Sequence, residues 1–296
     1  MIKNKINLYG RLSCIMKIFI PCILLLLSVS CSSLKDTGDI VDIRLLTEKE
    51  LDLGNKEAGR GKFDTALYLL QECKRRAILV DDASLMIRSS LSLGNVLFSL
   101  GRTDEAFAEW ENAVSMAEKI NNTELLSISR IFLARGNLIS KRMPSQAVLD
   151  AVTREAVNIK SDRLYIAFSW QVRALAQSDL RLYREAEDSA GRSLAIHVRE
   201  TYLENASYDW YLIASIRSLA GNTAGAIQAL ENSIMYDRRV ENSWGLASAW
   251  RATGDVHNKA GNNAEAREAY LRSKAIFHAM GNISEAAEID RRMDGL

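Results

Sequence analysis

Residues 87–119, IRSSLSLGNVLFSLGRTDEAFAEWENAVSMAEK, carry the pattern that decides the fold. Two segments with apolar residues at helical spacing flank Gly101, a residue type that can end a helix in the left-handed conformation. Thr103 can cap the following helix, which has two acidic residues in its first turn. The stretch therefore predicts two antiparallel helices joined by a tight turn, with the small residues Gly94 and Ala106 where the helices cross.

The same pattern recurs along the chain with a period of 40 residues, the separation of positions 54 and 94, except for a one-residue slip at Ala147. Small residues at these positions let two helix axes approach closely, and the larger residues around them fill the space on either side. The recurring columns are Gly54, Gly94, Ala134, Ala174, Ala214 and Gly254; Ala66, Ala106, Ala147, Ala186, Ala226 and Ala266; Trp170, Trp210 and Trp250; and Gly61, Gly101, Gly221 and Gly261. Since one such pair cannot bury its apolar face alone, the repeats are expected to stack into a continuous core.

This pattern resembles the tetratricopeptide repeat, most closely in the second, fifth and sixth repeats. The matching residues are Leu93, Gly94, Gly101, Ala106, Trp110 and Ala113; Trp210, Ala214, Gly221, Ala226 and Leu230; and Trp250, Gly254, Gly261, Ala266 and Tyr270. The departures include Ser90 in place of a tryptophan, Cys73 in place of an alanine, and a third repeat with Lys141 at the turn and Pro144 starting its second helix. A period of 40 rather than the family's 34 implies longer helices.

The resemblance implies an all-α fold, a right-handed superhelical solenoid of six antiparallel helix pairs over residues 47–281. Thr47-x-x-Glu50 is expected to form a capping box that opens the first helix. Residues 282–296 are expected to contain an amphipathic helix that caps the exposed end of the solenoid.

The N-terminus predicts export. Residues 1–30 hold a basic start, an apolar run over 18–27 and small residues before Cys31, which together are typical of a signal peptide. A translation start at Met16 would give a more conventional signal. The segment 27–31, LSVSC, resembles a bacterial lipobox, which implies lipidation of Cys31 and a tether over residues 31–46. The alternative is plain secretion, with Cys31 removed or left free.

Charge and cysteine usage narrow the function classes. The chain has 38 basic and 37 acidic residues; four of the basic ones precede residue 31, so a chain starting there carries 34 and 37, about −3. This offers no basic surface that could bind nucleic acid.

Cys14 and Cys22 precede the expected cleavage site, which leaves Cys31 and Cys73 and no disulfide framework. Cys73 is expected to be a buried packing residue.

Catalytic patterns are weak. The histidines His197, His257 and His278 have no metal-ligand spacing, and they are interpreted as helix-surface or interface residues. No cofactor or metal is expected, and the tryptophan column is interpreted as helix packing rather than a ligand cage. The chain is therefore predicted not to be an enzyme.

The resemblance also implies a binding groove, because in this family the first helix of each repeat lines the concave surface. Several of the carried-over positions are aromatic or arginine, the usual anchors of interfaces. The alternative is that longer repeats shift some of them into the core. The candidate groove residues are Arg88, Asn95, Phe98, Arg135, Phe168, Gln171, Tyr208, Tyr211, Arg251 and Asp255.

Two functions remain open from the sequence. The first is a lipid-anchored scaffold in a bacterial cell envelope, binding a peptide or helix of another envelope protein in the groove. The second is a periplasmic binding protein for a small apolar ligand, associated with a transporter. Ser32 after the cysteine favours the outer membrane over the inner one. The partner and the oligomeric state are left open.

Overall fold

The computed structural model describes residues 38–296, and their side chains from residue 43 onward. Leu45–Leu296 form one compact unit. The described part of the chain contains 13 α-helices and no strand. From residue 63 onward, each helix packs against the next along the chain.

The helices form six antiparallel pairs followed by a single helix, which confirms the predicted all-α solenoid with a C-terminal cap. In each pair the odd-numbered helix is called the first helix and the even-numbered one the second helix. They are α1 (Gly38–Gly59), α2 (Phe63–Leu79), α3 (Ala83–Ser99), α4 (Thr103–Lys119), α5 (Thr123–Ile139), α6 (Ser145–Ala156), α7 (Arg163–Asp179), α8 (Tyr183–Arg199), α9 (Leu203–Leu219), α10 (Thr223–Arg239), α11 (Ser243–Lys259), α12 (Asn263–Ala279) and α13 (Ile283–Asp294).

The turns recur with half the period of the small-residue columns. Apart from α6, the helices from α2 to α12 have 17 residues each. In every turn except the one after α6, the residue two places beyond the last helical residue has a positive φ. At Gly101 the backbone N–H donates to Phe98 O, and the next N–H donates to Leu97 O, which together form a Schellman cap. The left-handed residues are Gly61, Asp81, Gly101, Asn121, Lys141, Arg181, Thr201, Gly221, Glu241, Gly261 and Gly281.

Two predicted helix starts are wrong. Thr103 is the first residue of α4 rather than its cap; Arg102 occupies the cap position and forms an ion pair with Glu105 instead. Thr47 does not open the first helix, because α1 begins at Gly38 and Thr47 lies inside it. Part of the segment expected to be a tether, residues 38–46, is therefore helical.

The predicted small-residue column lies where the paired helices meet. A Cβ added at Gly94 would overlap the indole of Trp110, and one added at Gly254 would overlap the ring of Tyr270. The residue facing Gly94 is thus Trp110, sixteen positions later in sequence, and Ala106 is buried in the same core cluster. In each of these two repeats, a large side chain of the second helix therefore packs directly on the backbone of a glycine in the first helix.

Contacts between neighbouring repeats place the first helices on the inside of the curve. Helix α3 contacts α5, α5 contacts α7, and α9 contacts α11, whereas the second helices of neighbouring repeats make no comparable set of contacts within residues 45–296. The final helix α13 packs on α12 and buries Ala286 and Ile289, so it covers the end of the core as predicted.

The solenoid winds tightly enough for its start to touch its last repeats. The guanidinium of Arg60, after α1, donates to the carbonyl of Val240 at 3.3 Å, although 180 residues separate them. The same guanidinium lies 3.8 Å from the carboxylate of Glu204. Half-buried Trp244 lies over Gly61 and packs edge-to-face on Phe63, with ring centroids 5.4 Å apart. The superhelix therefore completes a turn within the six repeats.

A buried carboxyl group near this contact gives the fold a pH dependence. Asp237 is 2% exposed and accepts a hydrogen bond from Asn242 Nδ2 at 2.8 Å. Burial raises the pKa of Asp237 to about 6, against a partial opposing effect of its hydrogen bonds. Because the folded pKa lies above the unfolded one, stability falls as pH rises from about 4 to about 6 and stays reduced above that.

We therefore expect Asp237→Asn to raise the free energy of unfolding by about 2 kcal/mol at pH 7.5 and by much less at pH 4. Asparagine keeps the acceptor for Asn242 and removes the buried charge. Urea unfolding at the two pH values measures the difference, with exposed Asp64→Asn as the control. Equal effects of Asp237→Asn at both pH values would contradict the expectation.

Candidate binding surface of the first helices

The inner surface is defined here by the candidate groove residues, all of which lie on the first helices α3, α5, α7, α9 and α11. Contacts of α3 with α5, of α5 with α7 and of α9 with α11 bring residues of adjacent repeats together. Not all of them remain accessible, and the accessible ones fall into two groups along the solenoid.

The first group lies on α3 and α5. The guanidinium of Arg135 donates from Nη1 to Asn95 Oδ1 at 3.4 Å, which connects equivalent positions of neighbouring repeats. Both side chains are half-buried, so the remaining donors of Arg135 and the amide of Asn95 can still meet a ligand. This pair can recognise the carbonyl and N–H groups of an extended peptide or a carboxylate.

Arg88 is held beside this group by an interaction that spans two repeats. Burial lowers the pKa of its guanidinium, but the hydroxyl of Tyr165, which is hydrogen-bonded to Arg88, and the carboxylate of Asp162 outweigh this and raise the pKa above its ordinary value. Arg88 therefore remains charged at any physiological pH, and its orientation is fixed by its partner on α7.

Two phenylalanines contribute partly to this surface and partly to the core. Phe98 packs on Trp110 with ring centroids 5.7 Å apart, and Phe168 packs on Phe132 at 4.4 Å. Both are half-buried. They can offer a ring edge to a partner without leaving their packing positions.

The second group lies on α9. Tyr208 is 41% exposed, a high value for an aromatic side chain, and Tyr211 one turn later is half-buried. Burial raises the pKa of Tyr211, so its hydroxyl stays protonated and can both donate and accept hydrogen bonds.

Some candidate positions belong to the interior. Gln171 is 7% exposed, and its Nε2 donates to Asp209 Oδ1 at 2.7 Å between α7 and α9. Four of the five aliphatic residues at equivalent positions, which would have given the groove an apolar middle, are also in the core: Leu91, Ile128, Ile131 and Leu138. The fifth, Leu175, is half-buried. For the buried residues the alternative interpretation, that longer repeats shift them inward, is correct.

Two further candidates hold the capping helix. Arg251 donates to Glu285 Oε2 at 2.6 Å, and Asp255 accepts from Arg292 at 2.7 Å and from the hydroxyl of Tyr270 at 2.7 Å. Helix α13 therefore engages both side chains, which remain half-buried. No sequence pattern indicated this contact, since the amphipathic pattern of the capping helix does not say which residues it will meet.

Of the two cysteines singled out in the sequence, Cys31 lies outside the described residues, as does the signal segment. Cys73 is fully buried, its Sγ donates to Thr47 O at 3.5 Å, and burial raises its pKa to about 11, which confirms it as a packing residue.

Within residues 38–296 no group of His, Cys, Asp and Glu side chains is arranged to hold a metal ion. Over the same range no helix has the length and apolar character needed to cross a bilayer.

Comparisons with known proteins support the fold. No family model and no curated protein matches the sequence. Among solved structures, a Rap protein complexed with Competence and Sporulation Factor is 14% identical, with a TM-score of 0.58, covering 83% of this chain and 73% of that chain. Aspartyl phosphate phosphatase F from Bacillus subtilis is 12% identical, with a TM-score of 0.57, covering 82% and 77%.

A third solved structure of similar fold contains TPR-like repeats. The nearly identical TPR-like repeats of a putative kinesin light chain from Podosopora anserina are 17% identical, with a TM-score of 0.50, covering 66% of this chain and 96% of that chain. The fold is therefore of tetratricopeptide type.

Proposed function

We propose that this protein is an interaction module of a bacterial cell envelope, tethered to a membrane by a lipid on Cys31. Its inner surface binds an extended segment or a helix of another envelope protein. The observation that carries the proposal is the set of accessible polar and aromatic side chains on three of the first helices, α3, α5 and α9: Asn95, Arg135, Tyr208 and Tyr211. Amide, guanidinium and phenol groups suit the polar backbone and side chains of a partner segment.

Two further observations support binding of a protein segment. The Rap protein of similar fold was solved with a bound factor, so a solenoid of this type can hold a second molecule. The competing function, storage of a small apolar ligand, would need an apolar lining. Of the five aliphatic side chains that would supply it, four are buried in the core and only Leu175 is half-buried.

The test of the inner surface is partner recovery. The variant Arg135→Ala/Tyr208→Ala/Tyr211→Ala should recover at least tenfold less partner from crosslinked envelope extract, because interface anchors each contribute about 1–3 kcal/mol. The matched control removes two tyrosines and one arginine from second helices: Tyr68→Ala/Tyr236→Ala/Arg199→Ala. Equal recovery by both triple variants would refute the inner surface as the docking site. A ligand that co-purifies in native mass spectrometry would favour the small-molecule function.

The lipid anchor is tested separately. Cys31→Ala should abolish incorporation of labelled palmitate and release the protein from the membrane fraction, because a secreted chain without acyl groups lacks stable anchoring. Cys14→Ala, which changes a cysteine ahead of the expected cleavage site, should do neither. Membrane association of Cys31→Ala equal to that of the unaltered protein would disprove the anchor but leave the inner surface proposal standing.

A further inference from the structure

A surface hollow lies between α7 and α8 in the fourth repeat, on a different face of α7 from the inner surface. Its charged and aromatic lining consists of Trp170 and Arg173 from α7, and Arg184, Glu185, Asp188 and Arg192 from α8. It is called the arginine hollow below. Neither the repeat pattern nor the proposed function accounts for three arginines at this place.

The arginine hollow is lined by two helices only, α7 and α8. A depression at the same columns of the second repeat, which includes Leu93 and Leu97 of α3, is lined in addition by five residues of α2. In the arginine hollow the preceding second helix, α6, contributes no residue. Helix α6 has 12 residues where the other second helices have 17.

Arg173 occupies a position that most other repeats fill with an aliphatic residue. The column reads Leu53, Leu93, Leu133, Arg173, Ile213 and Thr253. The Nε of Arg173 is buried and has no hydrogen-bond partner among the described residues. Burial, and then the positive charge of Arg192, lower the pKa of the Arg173 guanidinium, against a partial opposing effect of the Asp188 carboxylate. Two like charges held close together are costly, and an anion bound near both would reduce that cost.

The two guanidiniums are held in place by one indole. The Arg173 and Arg192 carbons Cζ lie 4.5 Å and 4.8 Å from the ring centroid of Trp170. Arg192 also donates from Nε to Asp188 Oδ2 at 2.9 Å. The sixth repeat has a reduced version, in which Arg272 lies 4.6 Å from the centroid of Trp250 and Thr253 replaces the second arginine. At these columns the fourth repeat therefore has two more arginines than the sixth, Arg173 in place of Thr253 and Arg184 in place of Ala264.

We propose that the arginine hollow is a binding site for an oxyanion, a phosphate or carboxylate group that is held between Arg173 and Arg192. Such a group accepts charge-assisted hydrogen bonds from both guanidiniums and offsets the repulsion between the two cations. Arg184 and the nearby N-terminus of α8 add to the positive potential at the mouth of the hollow. The site is independent of the inner surface and of the lipid anchor.

The decisive variant is Arg173→Leu, which restores the aliphatic residue found at this column in repeats one to three. Full-length protein in detergent is titrated with inorganic phosphate and, in a second arm, with citrate, at constant ionic strength, and followed by calorimetry and tryptophan fluorescence. We expect saturable binding of at least one anion, weakened at least tenfold by Arg173→Leu, since one charge-assisted hydrogen bond carries that much. Binding in the phosphate arm alone identifies a phosphate site, and binding in the citrate arm identifies a carboxylate site.

The matched control is Arg272→Leu, which removes the equivalent cation from Trp250 and should leave binding unchanged. Arg173→Leu should also melt at a higher temperature than the unaltered protein when no anion is present, because it removes a poorly partnered buried charge. This second readout shows that the variant is folded. Absence of saturable binding in both arms, or equal binding by the unaltered protein and Arg173→Leu, would overturn the site.

Discussion

Replacing Trp110 by alanine is expected to lower the free energy of unfolding by about 3–5 kcal/mol, measured by urea denaturation. The indole is fully buried, and its Nε1 donates to Leu91 O at 3.2 Å. It also fills the space above the bare backbone of Gly94 on one side and Gly136 on the other. Removing it would leave a large cavity at the junction of the second and third repeats. Trp250→Ala is the control and should cost clearly less, because that indole is only half-buried.

The close fit between Trp110 and Gly94 can be tested more sharply, because one substitution should have opposite effects on stability in two backgrounds. Gly94→Ala alone should destabilise the protein, because the added Cβ overlaps the indole. In a Trp110→Ala background the same substitution should stabilise it by about 1 kcal/mol, since alanine is the better helix former and the overlap has gone. If Gly94→Ala has the same sign in both backgrounds, the helix crossing is not set by this pair.

The repeat could be predicted because side-chain size is visible in the sequence. A glycine or alanine once per repeat, with a large residue on the facing helix as in Gly94 and Trp110, is enough to specify the paired helices. The shorter period of the turns was not visible. Turns from a first to a second helix often use glycine, but those from a second helix to the next first helix use Asp81, Asn121, Thr201 and Glu241. These residues share no side-chain type, and the surrounding helices impose the left-handed conformation on them.

The candidate site was less predictable than the fold. Transferring family positions onto longer helices rotates some of them toward the core, which is why Gln171 and Ile128 are buried while Tyr208 is exposed. Contacts between distant repeats, such as Arg60 with Val240, depend on the small rotation between neighbouring repeats summed over the solenoid. The total of these rotations cannot be read from individual residue types.

Buried polar residues were also hard to predict from the sequence, and one of them, His197, is expected to have a large effect on the free energy of unfolding. His197, interpreted from the sequence as a helix-surface or interface residue, is at most 1% exposed, and so is Asp209. The carboxylate of Asp209 lies 2.5 Å from His197 Nδ1 and accepts hydrogen bonds from Ser193 at 2.9 Å and Gln171 at 2.7 Å. These side chains join α7, α8 and α9. We expect His197→Ala to cost about 3–5 kcal/mol, because it leaves a fully buried carboxylate without its closest partner.

A second substitution separates this electrostatic loss from a loss of packing. In the His197→Ala background, Asp209→Asn removes the unpaired charge but keeps an oxygen that can accept from Gln171 and Ser193, so about 2 kcal/mol should be recovered. If the cavity left by the imidazole were the main cause, the double variant would be no more stable than His197→Ala. Exposed His278→Ala should change stability by less than about 0.5 kcal/mol. Because a solenoid repeat depends on its neighbours, hydrogen exchange in His197→Ala should rise first in α7, α8 and α9 and later in α2, α3 and α4.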